Sequence, residues 1–244
     1  MNLYKYSSPA TFYPLAGKMW PFFAALAALL CVAGLYIGLI LSPTDFQQGE
    51  VYRVIFIHVP AAWMGMFIYL VMAGYGVLAL TLNTRLSAMM MEALAPTGAM
   101  FTALALWTGA LWGKPTWGTY WVWDARMTST LILLFLYVGF IALTHAIDDK
   151  RRADKAGALL AIVGSVNIPI IYFSVKWWNS LHQGSSVSPV MAPKMASIML
   201  TGMLVMTLAC WMYTIAVSLV RVRAIIKERN HGALPMEAME GSTS

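Results

Sequence analysis

Charge is what this sequence has least of. Only 11% of its 244 residues are Asp, Glu, Lys or Arg, against roughly 25% in a soluble domain, while 60% are hydrophobic. A water-soluble helical bundle carries charge along every exposed helix face, so that class is excluded. Cysteine is nearly absent too. Cys31 and Cys210 each lie inside an apolar run and form neither a CxxC pair nor a CxxCH motif, which argues against a disulfide scaffold, a zinc finger and self-attached haem. There is no GxxxxGKS/T loop, so any ATP hydrolysis has to come from another subunit. No secretory leader is expected, because residues 1–18 are polar and aromatic and the first apolar run is too long for a signal core.

What is present is a set of six apolar runs: Trp20 to Leu41, Val59 to Leu80, Ala93 to Trp112, Thr128 to Ala146, Ala156 to Val175 and Ala196 to Val220. Each has about the 20 residues needed to cross a bilayer core, and no acidic or basic residue falls inside any of them. The expected fold is an all-α integral membrane protein with six transmembrane helices, forming a single domain over residues 1–229. The remainder, 230–244, reads as a disordered tail.

The net charge of +6 is a matter of topology. One side of the membrane receives Lys5, Lys18, Arg85, Lys150, Arg151, Arg152, Lys155, Arg221, Arg223, Lys227 and Arg229; the other receives Arg53, Lys114, Arg126, Lys176 and Lys194. The richer side is expected to be cytoplasmic, which places both termini inside and the loops 42–58, 113–127 and 176–195 outside. The pairs Gly34/Gly38 and Gly109/Gly113 have GxxxG spacing, which lets membrane helices approach closely but arises often by chance in glycine-rich spans. Pro169 predicts a kink in the fifth span, with Asn167 as a polar partner.

Aromatic residues collect on the outer side. Trp117, Trp121, Trp123, Trp177 and Trp178 fall in the outer loops, and Trp63, Trp107 and Trp112 in the outer halves of their spans, whereas only Trp20 marks the inner edge. An interfacial belt predicts enrichment at both faces, so a binding surface is expected in addition. The densest piece runs from Trp117 to Asp124 (WGTYWVWD), with Arg126 just beyond. If it is helical, Trp117, Trp121 and Asp124 share a face; if extended, Trp121 and Trp123 do. Either way the segment presents an aromatic platform bordered by a carboxylate and a guanidinium. Such a surface suits a large planar ligand with anionic groups. Two histidines flank it on the same side: His58 before it, and His182 after it, four residues beyond Trp178 and so on one face if that stretch is helical. Imidazole is a common axial ligand of haem iron. Arg53, five residues before His58, and Arg126 are placed either to pair with carboxylates or to contact lipid headgroups.

The spacing Trp117-Gly-x-x-Trp-x-Trp-Asp124 resembles the tryptophan-rich signature of the haem-handling membrane proteins of bacterial cytochrome c biogenesis. Six spans, a length near this one and one outer histidine on each side of the motif match a haem-transferring member. They do not match the related haem lyase subunits, which are much longer and carry further histidines within their spans. The likeness covers about Lys18 to Lys227. It implies that His58 and His182 are the two axial ligands of a non-covalently held haem b, and that Trp117, Gly118, Trp121, Trp123 and Asp124 form the surface cradling it; Trp178 is expected at the same site from its spacing to His182 alone. It implies hand-over to a periplasmic haem chaperone, with the ATP-binding-cassette subunits of a transporter and a small one-span membrane protein as partners in a bacterial inner membrane. The role expected is binding and transfer rather than catalysis. Assigning Arg53 and Arg126 to the haem carboxylates rests on their position alone.

Other readings fit less well. A permease that translocates a small molecule without a haem site needs ionisable groups or broken helices at mid-membrane, and only the Asn167/Pro169 pair hints at one. An electron-transfer cytochrome b needs histidines within its spans. A copper site is suggested by 18 methionines, but most lie away from His58 and His182, where packing accounts for them.

Overall fold

The structure, a computed structural model, describes residues 7–178, Ser180, His182 and 195–230. Of the expected tail 230–244, Asn230 still belongs to the last helix, and 231–244 with His231, like the loop positions 183–194 with Lys194, lie outside the described residues. Among the described residues seven α-helices are formed: α1 Pro9–Tyr36, α2 Ile55–Thr81, α3 Arg85–Trp117, α4 Ala125–Ala146, α5 Lys150–Gly164, α6 Asn167–Trp177 and α7 Ser197–Asn230. With α5 and α6 taken together as one crossing, six segments are long and apolar enough to span a membrane. The described residues contain no β-strand, only an isolated bridge between Asp45 and Gly49. Several helices extend beyond the apolar runs that announced them, because a backbone leaving the bilayer keeps its internal hydrogen bonds wherever the chain allows.

The fifth crossing is interrupted, as Pro169 predicts. Proline has no N–H to give Ser165 and its ring crowds the preceding turn. Accordingly, α5 ends at Gly164 and α6 starts afresh at Asn167, with Ile168 N–H bonded to Ser165 O at 3.0 Å. Asn167, which is buried, donates to Ser129 O at 2.9 Å and so fastens the restart to α4.

Helix α2 is central: it packs on α3, α5 and α7, while α1 lies at the edge against α7. Phe22, Leu29, Val32 and Ile40 along α1 and the turn after it remain exposed, as side chains facing lipid do. The core holds Met64, Ile68, Tyr69, Met72, Met91, Phe101, Leu133, Tyr137 and Phe140. Its buried hydroxyls are satisfied by backbone carbonyls: Tyr137 donates to Gly65 O at 2.7 Å and Tyr69 to Leu160 O at 3.2 Å.

Glycines set these approaches. A Cβ on Gly98 would collide with the Tyr137 ring, a ring that is wholly buried and tethered. Gly98→Ala is therefore expected to destabilise the fold by ~1–3 kcal/mol, as overpacking of a close-packed core does, read as a lower thermal midpoint in detergent. Both GxxxG pairs also prove to be contact points. Gly34 meets Met206, Gly38 meets the Phe56 ring, Gly109 meets the His58 ring, and Gly113 meets Thr119 O and Trp117.

At the end of the bundle away from the tryptophan motif, Arg229 of α7 bonds Glu92 of α3 at 2.6 Å and both oxygens of Asp154 of α5 at 2.9 Å. This triad ties three helices together where they leave the apolar layer.

Candidate functional site

His58 lies one turn into α2 and is buried. Its Nδ1 is 3.1 Å from Thr108 Oγ1 on α3, and that hydroxyl already donates its one proton to Leu104 O at 2.7 Å. The oxygen is left as an acceptor, so Nδ1 carries the hydrogen and Nε2 keeps its lone pair. A buried imidazole held as this tautomer is prepared to ligate a metal through Nε2. Trp112 stands edge-on to the ring at 5.6 Å, with its indole N–H bonded to Gln48 Oε1 at 2.8 Å, and Gly109 leaves the room the imidazole occupies.

The motif itself is not helical. α3 ends at Trp117, and Gly118 takes the left-handed conformation, φ 81°, that closes a helix, its N–H returning to Lys114 O at 3.0 Å. From there to Asp124 the chain is irregular, with a bend at Tyr120, so the helical alternative of the sequence reading is not realised, and Trp121 and Trp123 are neighbours, 5.3 Å between ring centroids. Trp121 Nε1 is buried with no acceptor among the described residues, whereas Trp123 is 75% exposed. Asp124 starts the next helix: its Oδ1 accepts from Met127 N–H at 2.8 Å and caps α4.

The other Asp124 oxygen accepts from Ser180 Oγ, and Ser180 Oγ in turn accepts His182 N–H at 3.1 Å. Through this chain the motif's carboxylate fixes the backbone next to the second histidine. The His182 ring lies 5.5 Å from that of Trp117 and 6.3 Å from that of His58, the imidazole planes inclined by 27°. His58, His182, Trp117 and Arg126 thus border one small cavity of about 40 Å³, completed by Ala62, Ala105, Leu106, Gly109, Met127 and Thr130.

Not every expected residue joins them. Arg126 does, while donating to Ile171 O at 3.0 Å. Arg53 does not border the cavity: it pairs with Glu50 and donates to Gly38 O at 2.6 Å, at the π-helical end of the first crossing. Glu50, three residues before it, was the available signal. Trp178 packs against Trp177 instead. The helical spacing proposed for Trp178 and His182 is not realised, because α6 stops at Trp177 and Trp178 is extended. Thr108, Gln48 and Ser180 were not anticipated, and each acts through a contact distant in sequence; Trp112 had been marked only as one of the outer tryptophans and Gly109 only for its spacing to Gly113.

The donor set suits a haem. With metal–nitrogen bonds of about 2 Å, two imidazoles on opposite sides of one metal have ring centroids about 6 Å apart, close to the separation found. The cavity between them is far smaller than a porphyrin, so a macrocycle has to displace the aromatic and loop side chains at its border. Larger cavities lie elsewhere: an apolar one of about 510 Å³ among α1, α3 and α7, and one of about 560 Å³ at the opposite end of the bundle.

Comparison with known proteins gives a consistent picture. The profile of the family described as Heme exporter protein C matches residues 2–237. The chain is 47% identical over 195 residues to Heme exporter protein C of Escherichia coli strain K12, covering 78% of this chain and 80% of that protein. It is 44% identical over 227 residues to Heme exporter protein C of Haemophilus influenzae, covering 93% and 92%. A putative cytochrome c biosynthesis ccmC-like mitochondrial protein of Marchantia polymorpha is 49% identical over 159 residues, covering 65% and 67%.

Proposed function

The chain belongs to the Heme exporter protein C family, and on that premise we propose that it binds haem at the periplasmic membrane surface and hands it to a periplasmic haem chaperone for cytochrome c biogenesis. The observation that carries this reading is the pair His58 and His182, 6.3 Å apart beside Trp117. Bound haem is the cargo, and its iron supplies the coordination that the two imidazoles satisfy.

The residues divide the work. His58 is the fixed ligand, its tautomer set by Thr108 and its ring wedged between Gly109 and Trp112. His182 is the second ligand, placed by Ser180 and Asp124. Trp117 and Trp121 cover the macrocycle, the unpartnered Trp121 indole N–H offers a donor to a haem carboxylate, and Arg126 offers a charge-assisted one. Trp123, exposed beside Trp121, is the aromatic face a chaperone would meet. An ATP-binding-cassette transporter and a one-span membrane protein are the partners this role calls for, in the inner membrane.

The test is the absorption spectrum of the purified chain in detergent, before and after haem addition. A low-spin spectrum of non-covalently held haem is expected. A preparation that stays colourless after haem addition would sink the proposal.

A further inference from the structure

At the end of the bundle opposite the histidine pair, a cavity of about 560 Å³ is enclosed by the α2–α3 turn, the start of α5 and the end of α7, within the size range of small-ligand sites. Ala79, Leu80, Ala88 and Met89 give it an apolar side, while Arg85, Lys150, Arg151 and Lys155 line the remainder. None of these four cations has an ion-pair partner among the described residues. Two carboxylates also line it, Glu228 and Asp154, and Asp154 is engaged by Arg229.

Within 148–155, three of the four cations border the cavity, Arg152 being the exception, against one of the three acids, Asp154. Asp148 and Asp149 belong to the same basic segment yet stay off the wall, and Asp149 accepts instead from Arg152 N–H at 2.8 Å to cap α5. The 33-residue helix α3 begins at Arg85 on this wall with no side-chain cap: Thr84 directs its hydroxyl to Ser87 Oγ at 2.7 Å. The positive end of a long helix therefore points at the same space without a protein acceptor. A basic loop that merely set topology would need neither walls nor an uncapped helix.

We propose that this cavity is a phosphate-binding site, with the four cations as its ligands and the apolar side accommodating the remainder of the molecule. Two sources carry that chemistry: the headgroup of an anionic phospholipid at the membrane boundary, and a soluble phosphate compound. The site is independent of the haem reading.

The full chain is purified in neutral detergent and binding is followed by native mass spectrometry and thermal shift, with phosphatidylglycerol, phosphatidylcholine and pyrophosphate as the three probes. Phosphatidylglycerol retained at least tenfold over phosphatidylcholine identifies a lipid headgroup site; pyrophosphate binding with no preference between the lipids identifies a soluble ligand. Either preference should be lost in Arg85→Gln/Lys150→Gln/Arg151→Gln/Lys155→Gln and kept in the control Arg152→Gln/Lys18→Gln/Lys227→Gln, which removes cations that do not line the cavity. All four targets are exposed, so the variant is expected to fold, and Arg85→Gln alone should weaken binding severalfold if it does not. Equal binding by wild type and the four-site variant, equal loss in the control, or no binding of either phosphate probe would overturn the proposal.

Discussion

Substituting His58 with alanine is expected to abolish the low-spin haem spectrum and to lower haem retention by a factor of at least about ten. The ring sits at a fixed point between α2 and α3, with its Nδ1 held by Thr108 and its flank against Trp112. Trp117, Arg126 and Thr130, the polar or aromatic neighbours across the cavity, carry no ligand that could replace it; His182 is the other proposed ligand, and the Met127 thioether is the one remaining side chain of the lining with a donor atom for iron. His182→Ala should leave a haem bound through His58 alone, converted to high spin and more easily washed out. A milder variant separates the ligand from the space around it. A Cβ at Gly109 would lie 2.9 Å from His58 Cε1, so Gly109→Ala should turn or displace the imidazole and weaken the low-spin signal while His58 is still present. Low-spin spectra unchanged in both histidine variants would assign the iron to other residues.

Much of the fold could be read from the chain because the bilayer imposes simple rules. Charged side chains are costly in hydrocarbon, so six uncharged runs of sufficient length announce six crossings, and a proline with no N–H to give announces the break in the fifth. The local course of the motif was not decidable from residue spacing. Tryptophan favours neither answer strongly, and what settles it is Gly118 closing α3 in the left-handed conformation, after which the chain has no reason to resume a helix until Asp124 caps the next one. Arg53 and Arg126 looked equivalent because both sit near the outer boundary. They differ because Glu50 lies within reach of Arg53 on the same 3-10 turn, whereas Arg126 opens α4 and finds only a carbonyl. Thr108 and Ser180 were beyond reach of such reasoning: their roles depend on helix packing and on a loop return across 50 and 56 residues.

Asp124 is the residue for which motif and geometry suggest different roles, and its variants distinguish them. As part of an aromatic platform it would face the ligand; in the structure both its oxygens are engaged by protein, one by Met127 N–H and the other by Ser180 Oγ. It therefore acts as a positioning residue, through Ser180 onto His182. Asp124→Ala should cost ~1 kcal/mol of stability through the lost cap of α4 and should weaken haem binding about 10–100-fold, the usual penalty for removing a group that orients a metal ligand. Ser180→Ala removes the link and keeps the cap, so it should reproduce the shift toward high-spin haem with the thermal midpoint nearly unchanged. Asp124→Asn, which keeps an oxygen for Met127 N–H and an amide able to bond Ser180, should recover most of both. Added imidazole should restore a low-spin spectrum in Ser180→Ala by filling the position His182 has left. If Asp124 met the haem directly, Ser180→Ala would leave the spectrum intact while Asp124→Asn altered it, and the positioning role would fall.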